Sequence, residues 1–123
     1  MDYSIHLPSK WAMRFPVLAW LIFWVAAALE VGGDAVVRKG MRGGGWVFLA
    51  LGFAMLGTYG VVVNIVPWDF SKLLGVYVAV FAAVSVLTGR FVFHENVPVA
   101  TWLGVAIIIL GGLVIQFGSA AKT

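Results

Sequence analysis

Cysteine is absent from the chain, which excludes disulfides, thiolate metal sites and a cysteine nucleophile. Charge is scarce as well: Asp and Glu number 5 and Lys and Arg 8, together 11% of the 123 residues, against roughly a quarter in an ordinary soluble domain. A water-facing surface cannot be assembled from so little. What fills the chain instead is hydrophobic residue, 63% of the total, with a mean hydropathy of +1.04. Crossing the hydrocarbon takes roughly 20 apolar residues per helix, which leaves room for about four spans, short turns and no separate catalytic domain. The chain is therefore expected to be one all-α membrane domain set in a lipid bilayer. Its formal net charge of +3 comes from Lys and Arg near the expected helix ends, where basic residues meet lipid headgroups rather than nucleic acid.

The apolar runs and their breakers place the spans. A tail, residues 1–14, precedes a first span over 15–37, where Pro16 suits a first helical turn and Arg38, Lys39 and Arg42 close the helix. A glycine-rich turn, Gly40 to Gly45, leads to a second span over 46–66 that ends at Pro67. The third covers 73–93, His94, Glu95 and Asn96 form the next turn, and Pro98 starts a fourth over 98–118, followed by a tail, 119–123. Irregular backbone cannot face lipid, so spans joined by turns this short form two antiparallel hairpins with both termini on one side. Phe15 to Ala28, with Ala26-Ala27-Ala28 as a candidate cleavage site, has the outline of a signal peptide. The hydrophobic stretch continues past Glu30, however, and is read as a retained helix.

Basic residues do not favour one orientation. The side bearing the termini has Lys10, Arg14, Lys72 and Lys122, and the opposite side Arg38, Lys39, Arg42 and Arg90. A tie permits insertion both ways, and with it an antiparallel homodimer; the alternative is that a partner or the first helix fixes one orientation. The tail, with Ile5, Leu7, Trp11 and Met13, is suited to lying on the membrane surface or touching a partner.

Glu30 carries the chemistry. It lies roughly 6 Å past the midpoint of the first span at about 1.5 Å per residue. A charged carboxylate at that depth is costly, and intramembrane acids usually face a bundle interior or aqueous cavity and handle protons or ions. The protonated and cation-bound states of one carboxylate exclude each other, which is the minimum machinery for coupled exchange. The alternative is a permanently protonated Glu30 hydrogen-bonded to a neighbouring helix. Asp34 and Arg38 follow at one-turn intervals along the same face. Asp34 is a candidate for the ion pathway or for a local pair with Arg38. Four tryptophans, Trp11, Trp46, Trp68 and Trp102, fall at expected span ends and suit an interfacial belt. Trp20, Trp24, Tyr59, Tyr77 and Phe81 lie deeper, where aromatic faces can stabilise an organic cation. In the fourth span Gly104, Gly111 and Gly112 offer small faces for a helix contact, within the chain or between protomers. Asn64, Ser85, Thr88 and Gln116 can bond across helices. His6 and His94 are isolated, no metal-ligand cluster or activated nucleophile is visible, and neither an enzyme nor a cofactor is expected.

The segments AALEVGGDAVVRKG, GVYVAVFAAVS and FHENVPVATWLGVAIIILGGLVI, from about Ala26 to Ile115, resemble the small multidrug resistance family, the four-helix branch of the drug/metabolite transporter superfamily. Glu30 with a basic residue just past it, and Phe93, Glu95, Gly104, Gly111 and Gly112 in the last hairpin, carry the likeness. By that resemblance Glu30 is the shared proton and substrate site of an antiparallel dimer, and Gly111-Gly112 belong to the dimer-forming helix. Tyr77 takes a place where the family commonly has a substrate-facing tryptophan. The aromatic pattern of the third helix departs from the drug-exporting subtype, Asp34 is an added acid, and residues 1–14 extend beyond the usual start. A small family of four-helix inner-membrane proteins, and the small subunits of lipid-linked aminosugar flippases, share the outline. The resulting expectation is a homodimeric, proton-coupled antiporter of a small cationic or amphipathic solute in the inner (plasma) membrane. Its rivals are a non-transporting subunit of a larger membrane complex and a flippase-like subunit for a lipid-linked solute.

Overall fold

The structure, a computed structural model, describes residues 16–121, with side chains over 17–118. The tail 1–14 with His6, Lys10, Trp11 and Arg14, the first expected span residue Phe15, and Lys122 all lie outside the described residues. Four helices follow one another: α1 (Pro16–Lys39), α2 (Trp46–Val63), α3 (Phe70–Phe91) and α4 (Val99–Ala121). Each is long and apolar enough to cross a membrane, and no strand occurs among the described residues. The protein is an all-α, four-span membrane protein.

Local chemistry sets the helix ends, which differ in detail from those expected. α1 runs on to Lys39 and into a wide turn, Gly40–Gly44, closed by a bond from the Gly45 N–H to the Gly40 carbonyl at 3.2 Å. Gly43 (φ 105°) and Gly45 (φ 93°) adopt left-handed conformations there, which glycine takes without a Cβ penalty. α2 stops at Val63 rather than at residue 66, because the residue before Pro67 is driven out of helical geometry. α3 starts at Phe70, three residues earlier than expected. Asp69 is its extended N-cap residue (ψ 144°) and accepts from the Leu73 N–H at 2.8 Å. Residues 119–121 continue α4 instead of forming a tail; Ala120 and Ala121 favour helix and no proline interrupts them.

α1 packs against α2 and α3, and α3 against α4. Small residues make each seam. A Cβ on Gly52 of α2 would lie 2.5 Å from Val37 Cγ2 and 3.0 Å from the Gly33 carbonyl oxygen, so the first hairpin closes at near backbone contact. Gly112 of α4 faces Ala79 of α3 in the same way, with 2.5 Å between its virtual Cβ and Ala79 Cβ. At the α1–α3 crossing lies the core: Ala19, Phe23, Ala26 and Ala27, spaced along one face of α1, meet Leu73, Val76, Tyr77 and Val80 of α3, with Val63 and Val66 closing one end. Val99, Leu103, Ile107, Leu110 and Val114 make an exposed stripe along α4, which is the outward face expected where the solvent is lipid.

Candidate functional site

The core face of α1 continues through Phe23 to Glu30, two turns further on, and delivers the carboxylate to α3. There the Tyr77 hydroxyl donates to Glu30 Oε1 at 2.8 Å. Tyr77 is 2% exposed, and aromatic rings from three helices hold it. Tyr59 of α2 stacks on it at 5.5 Å between centroids, Phe23 of α1 meets it edge-on at 5.8 Å, and Phe81, one turn along α3, lies tilted at 6.4 Å. The stack continues outward as Phe23 meets Trp68 at 5.3 Å and Trp20 at 6.1 Å, and the Lys72 ammonium sits 4.4 Å from the Trp68 ring centre. The result is a partly buried carboxyl group held by a phenol that is itself fixed in an aromatic nest. Such a group can hold a proton or a cation, and the ring faces add attraction for an organic cation.

Of the deep aromatics, Trp20, Tyr59 and Phe81 pack against the core cluster that holds Tyr77. Trp24 does not: it is 45% exposed, on the outer side of α1. Trp46 and Trp102 are exposed near helix starts, as a belt requires, whereas Trp68 turns inward onto Phe23. Asn64 bonds back to the Gly60 carbonyl of its own helix at 2.7 Å. Gly104 and Gly111 face open space, while Gly112 is taken up within the chain. Asp34, one turn beyond Glu30, does not join the nest. It lines a separate cavity of about 200 Å³ with Arg38, Ser85, Thr88 and Glu95. Among the described residues no group of three or more His, Asp or Glu is placed to hold a metal ion.

Sequence reasoning missed Phe23 and Trp68 as supports of the site, and Glu95 as a cavity residue. Phe23 had a signal, seven residues before Glu30 and so on its helix face. Glu95 had none, because its position depends on the turn after α3. His94 takes φ 56°, and the Glu95 N–H bonds to the Gly89 carbonyl at 2.9 Å. The Glu95 side chain then folds over α3 so closely that a Cβ on Gly89 would lie 2.5 Å from its Oε1.

Four membrane-length helices, with an acid of the first bonded to a tyrosine of the third, define a small polytopic membrane protein. The chain is 36% identical over 107 residues to a UPF0060 membrane protein of Synechocystis, covering 85% of this chain and 99% of that one. It is also 39% identical over 101 residues to one of Frankia casuarinae, covering 79% and 90%, and 35% identical over 98 residues to one of Rhodococcus jostii, covering 78% and 90%. The chain belongs to the UPF0060 membrane protein family, whose name states the membrane and no activity. No family model matches it, and no solved structure matches it.

Proposed function

We propose that this protein is a proton-coupled antiporter of a small cationic or amphipathic solute, working as a homodimer in the inner (plasma) membrane, with Glu30 as the coupling residue. The observation that carries this reading is the 2.8 Å bond from Tyr77 to Glu30 within the nest of Phe23, Tyr59 and Phe81. A carboxylate at that depth needs a partner, and proton and cation compete for the role. Ionised Glu30 holds the cation against the ring faces; protonation removes the charge and releases it. Tyr77, as a neutral donor, orients the carboxyl group without competing for either. The resemblance to the small multidrug resistance family supports the same assignment, and the exposed α4 stripe with Gly104 and Gly111 beside it is the surface available for a second copy. No chemical step is required of the protein.

The test uses proteoliposomes loaded with a pH-sensitive dye and challenged with guanidinium, quaternary ammonium, polyamine and amino-sugar solutes. Solute-driven proton movement in the wild type that disappears in Glu30→Gln is the expected result. A folded Glu30→Gln protein that still couples the two fluxes would sink the assignment. The same α4 surface favours a second reading, a membrane subunit docked on unrelated chains. Stoichiometric co-purification with such chains in mild detergent, together with silence in the flux assay, would select it.

A further inference from the structure

The three connections between the helices differ in charge. From Ala35 to Trp68 the chain holds Arg38, Lys39 and Arg42 and no acidic residue. The connections after α2 and α3 are balanced, Asp69 against Lys72 and Arg90 against Glu95. Of the three bases in the first connection, Arg38 lines the cavity that Asp34 also lines. Lys39 and Arg42, both exposed, have no acid of their own turn to balance them. α2 supplies no counter-charge either, since its first turn has no acidic residue and no side chain caps it. Basic groups left unbalanced at the end of a membrane span attract anionic lipid headgroups.

The turn presents the two bases to an open surface. Lys39 lies 4.7 Å from the Phe48 ring centre, so its ammonium is held over the first turn of α2 instead of sweeping through water. Arg42 belongs to the wide turn Gly40–Gly44. The glycines that follow it, Gly43, Gly44 and Gly45, are exposed, and a Cβ on Gly43 or Gly45 would meet nothing within 4 Å. The approach to the turn is therefore unobstructed. Met41 and Trp46 flank it and are also exposed. Large apolar groups uncovered at the joined ends of two membrane spans belong at headgroup level. A free anion gains nothing from that apolar collar. A phospholipid does, because its phosphate meets the bases while its chains meet Met41 and Trp46. An arginine fork matches two phosphate oxygens with parallel bonds, and a lysine ammonium adds a point charge.

We propose that the α1–α2 turn binds the phosphate headgroup of an anionic phospholipid, held by Lys39 and Arg42 with Met41 and Trp46 against its chains. The net charge of the lipid matters, because a zwitterionic headgroup brings its own cation to two bases that need an anion. The inference stands apart from the antiporter reading, since it uses neither Glu30 nor the aromatic nest.

The test is native mass spectrometry of the full chain in detergent, titrated with dioleoylphosphatidylglycerol or with the phosphatidylcholine of the same chains. A basic residue beside anionic lipid is worth about fivefold in affinity, so the first phosphatidylglycerol should bind about 25-fold more tightly than the first phosphatidylcholine. Lys39→Gln and Arg42→Gln should each cost about fivefold, and the double variant should lose the preference. Lys39→Arg should keep it. Arg90→Gln removes the same charge from the same side of the membrane and should leave the preference unchanged, whereas a diffuse charge effect would lower it as much as Lys39→Gln does. Circular dichroism checks that each variant is folded. Melting curves then separate lipid from free phosphate: phosphatidylglycerol should raise the wild-type Tm, and inorganic phosphate at the same concentration should not. An equal rise with inorganic phosphate would overturn the docking of a lipid. Equal affinity for the two lipids, or equal losses in Arg90→Gln and Lys39→Gln, would overturn the site.

Discussion

Tyr77 and Glu30 sit 47 positions apart in the chain, on α3 and α1, and are joined by one hydrogen bond of 2.8 Å. The bond fixes where the intramembrane carboxyl group points and ties the second hairpin to the first. Tyr77→Phe removes the donor and keeps the ring, so Tyr59 and Phe23 can still pack against it. Hydrogen bonds between membrane helices are worth on the order of 1 kcal/mol or somewhat less. Denaturant titration of Tyr77→Phe should show a loss of that size, together with weaker cation binding. A variant with wild-type stability and wild-type affinity would mean that the bond organises nothing.

Phe23 supports the same residue from the other side. It is fully buried, in T-shaped contact with both Tyr77 and Trp68. Phe23→Ala opens a void under both rings and should cost about 3 kcal/mol or more, the range for large-to-small aromatic changes in a packed core. Phe23→Leu, which keeps most of the volume, should recover the larger part. Melting curves in detergent for the two variants give the comparison; equal losses would point to a requirement for the ring itself.

The glycines of α4 separate by position. Gly112→Ala places a methyl group 2.5 Å from Ala79 Cβ, and overpacking of this kind costs about 1–3 kcal/mol. Gly111→Ala meets nothing within 4 Å and should leave the stability of the single chain within about 0.5 kcal/mol of wild type. If a second copy packs on this face, Gly111→Leu and Gly104→Leu should shift the protein toward monomer in crosslinking or light scattering while the hairpin stays intact. A dimer that tolerates both leucines uses another surface.

These contrasts show which features the sequence makes visible. Glu30 stands out because a carboxylate in an apolar run conflicts with its solvent, and the helices themselves follow from long apolar runs broken at Gly40–Gly45, Pro67 and the turn before Pro98. The partner of Glu30 is not legible from spacing, since Tyr77 reaches it only through the packing of α1 on α3. Gly111 and Gly112 look alike in sequence, yet a rotation of about 100° per residue turns one outward and the other onto Ala79. Glu95 reads as a turn residue and becomes a cavity wall only because the chain bends back at His94. Local pattern decides the elements; tertiary packing decides which of their polar groups meet.

Orientation in the membrane is open to a direct experiment because the chain has no cysteine. Any cysteine introduced is unique. Ser71→Cys, at the start of α3, and Asn96→Cys, in the turn before α4, report opposite sides of the membrane, and both positions are exposed. With Lys and Arg tied across the two sides, the protein should insert both ways. An impermeant maleimide added outside intact cells should then label each variant to about half of the total reached after permeabilisation. One extra charge breaks the tie: with Thr123→Lys added, the terminal side should become cytoplasmic, Ser71→Cys protected and Asn96→Cys fully labelled. If the unaltered background already gives complete labelling at one position and none at the other, insertion is single and an antiparallel dimer is ruled out. The transporter would then have to be parallel, or built with a different chain in the opposite orientation.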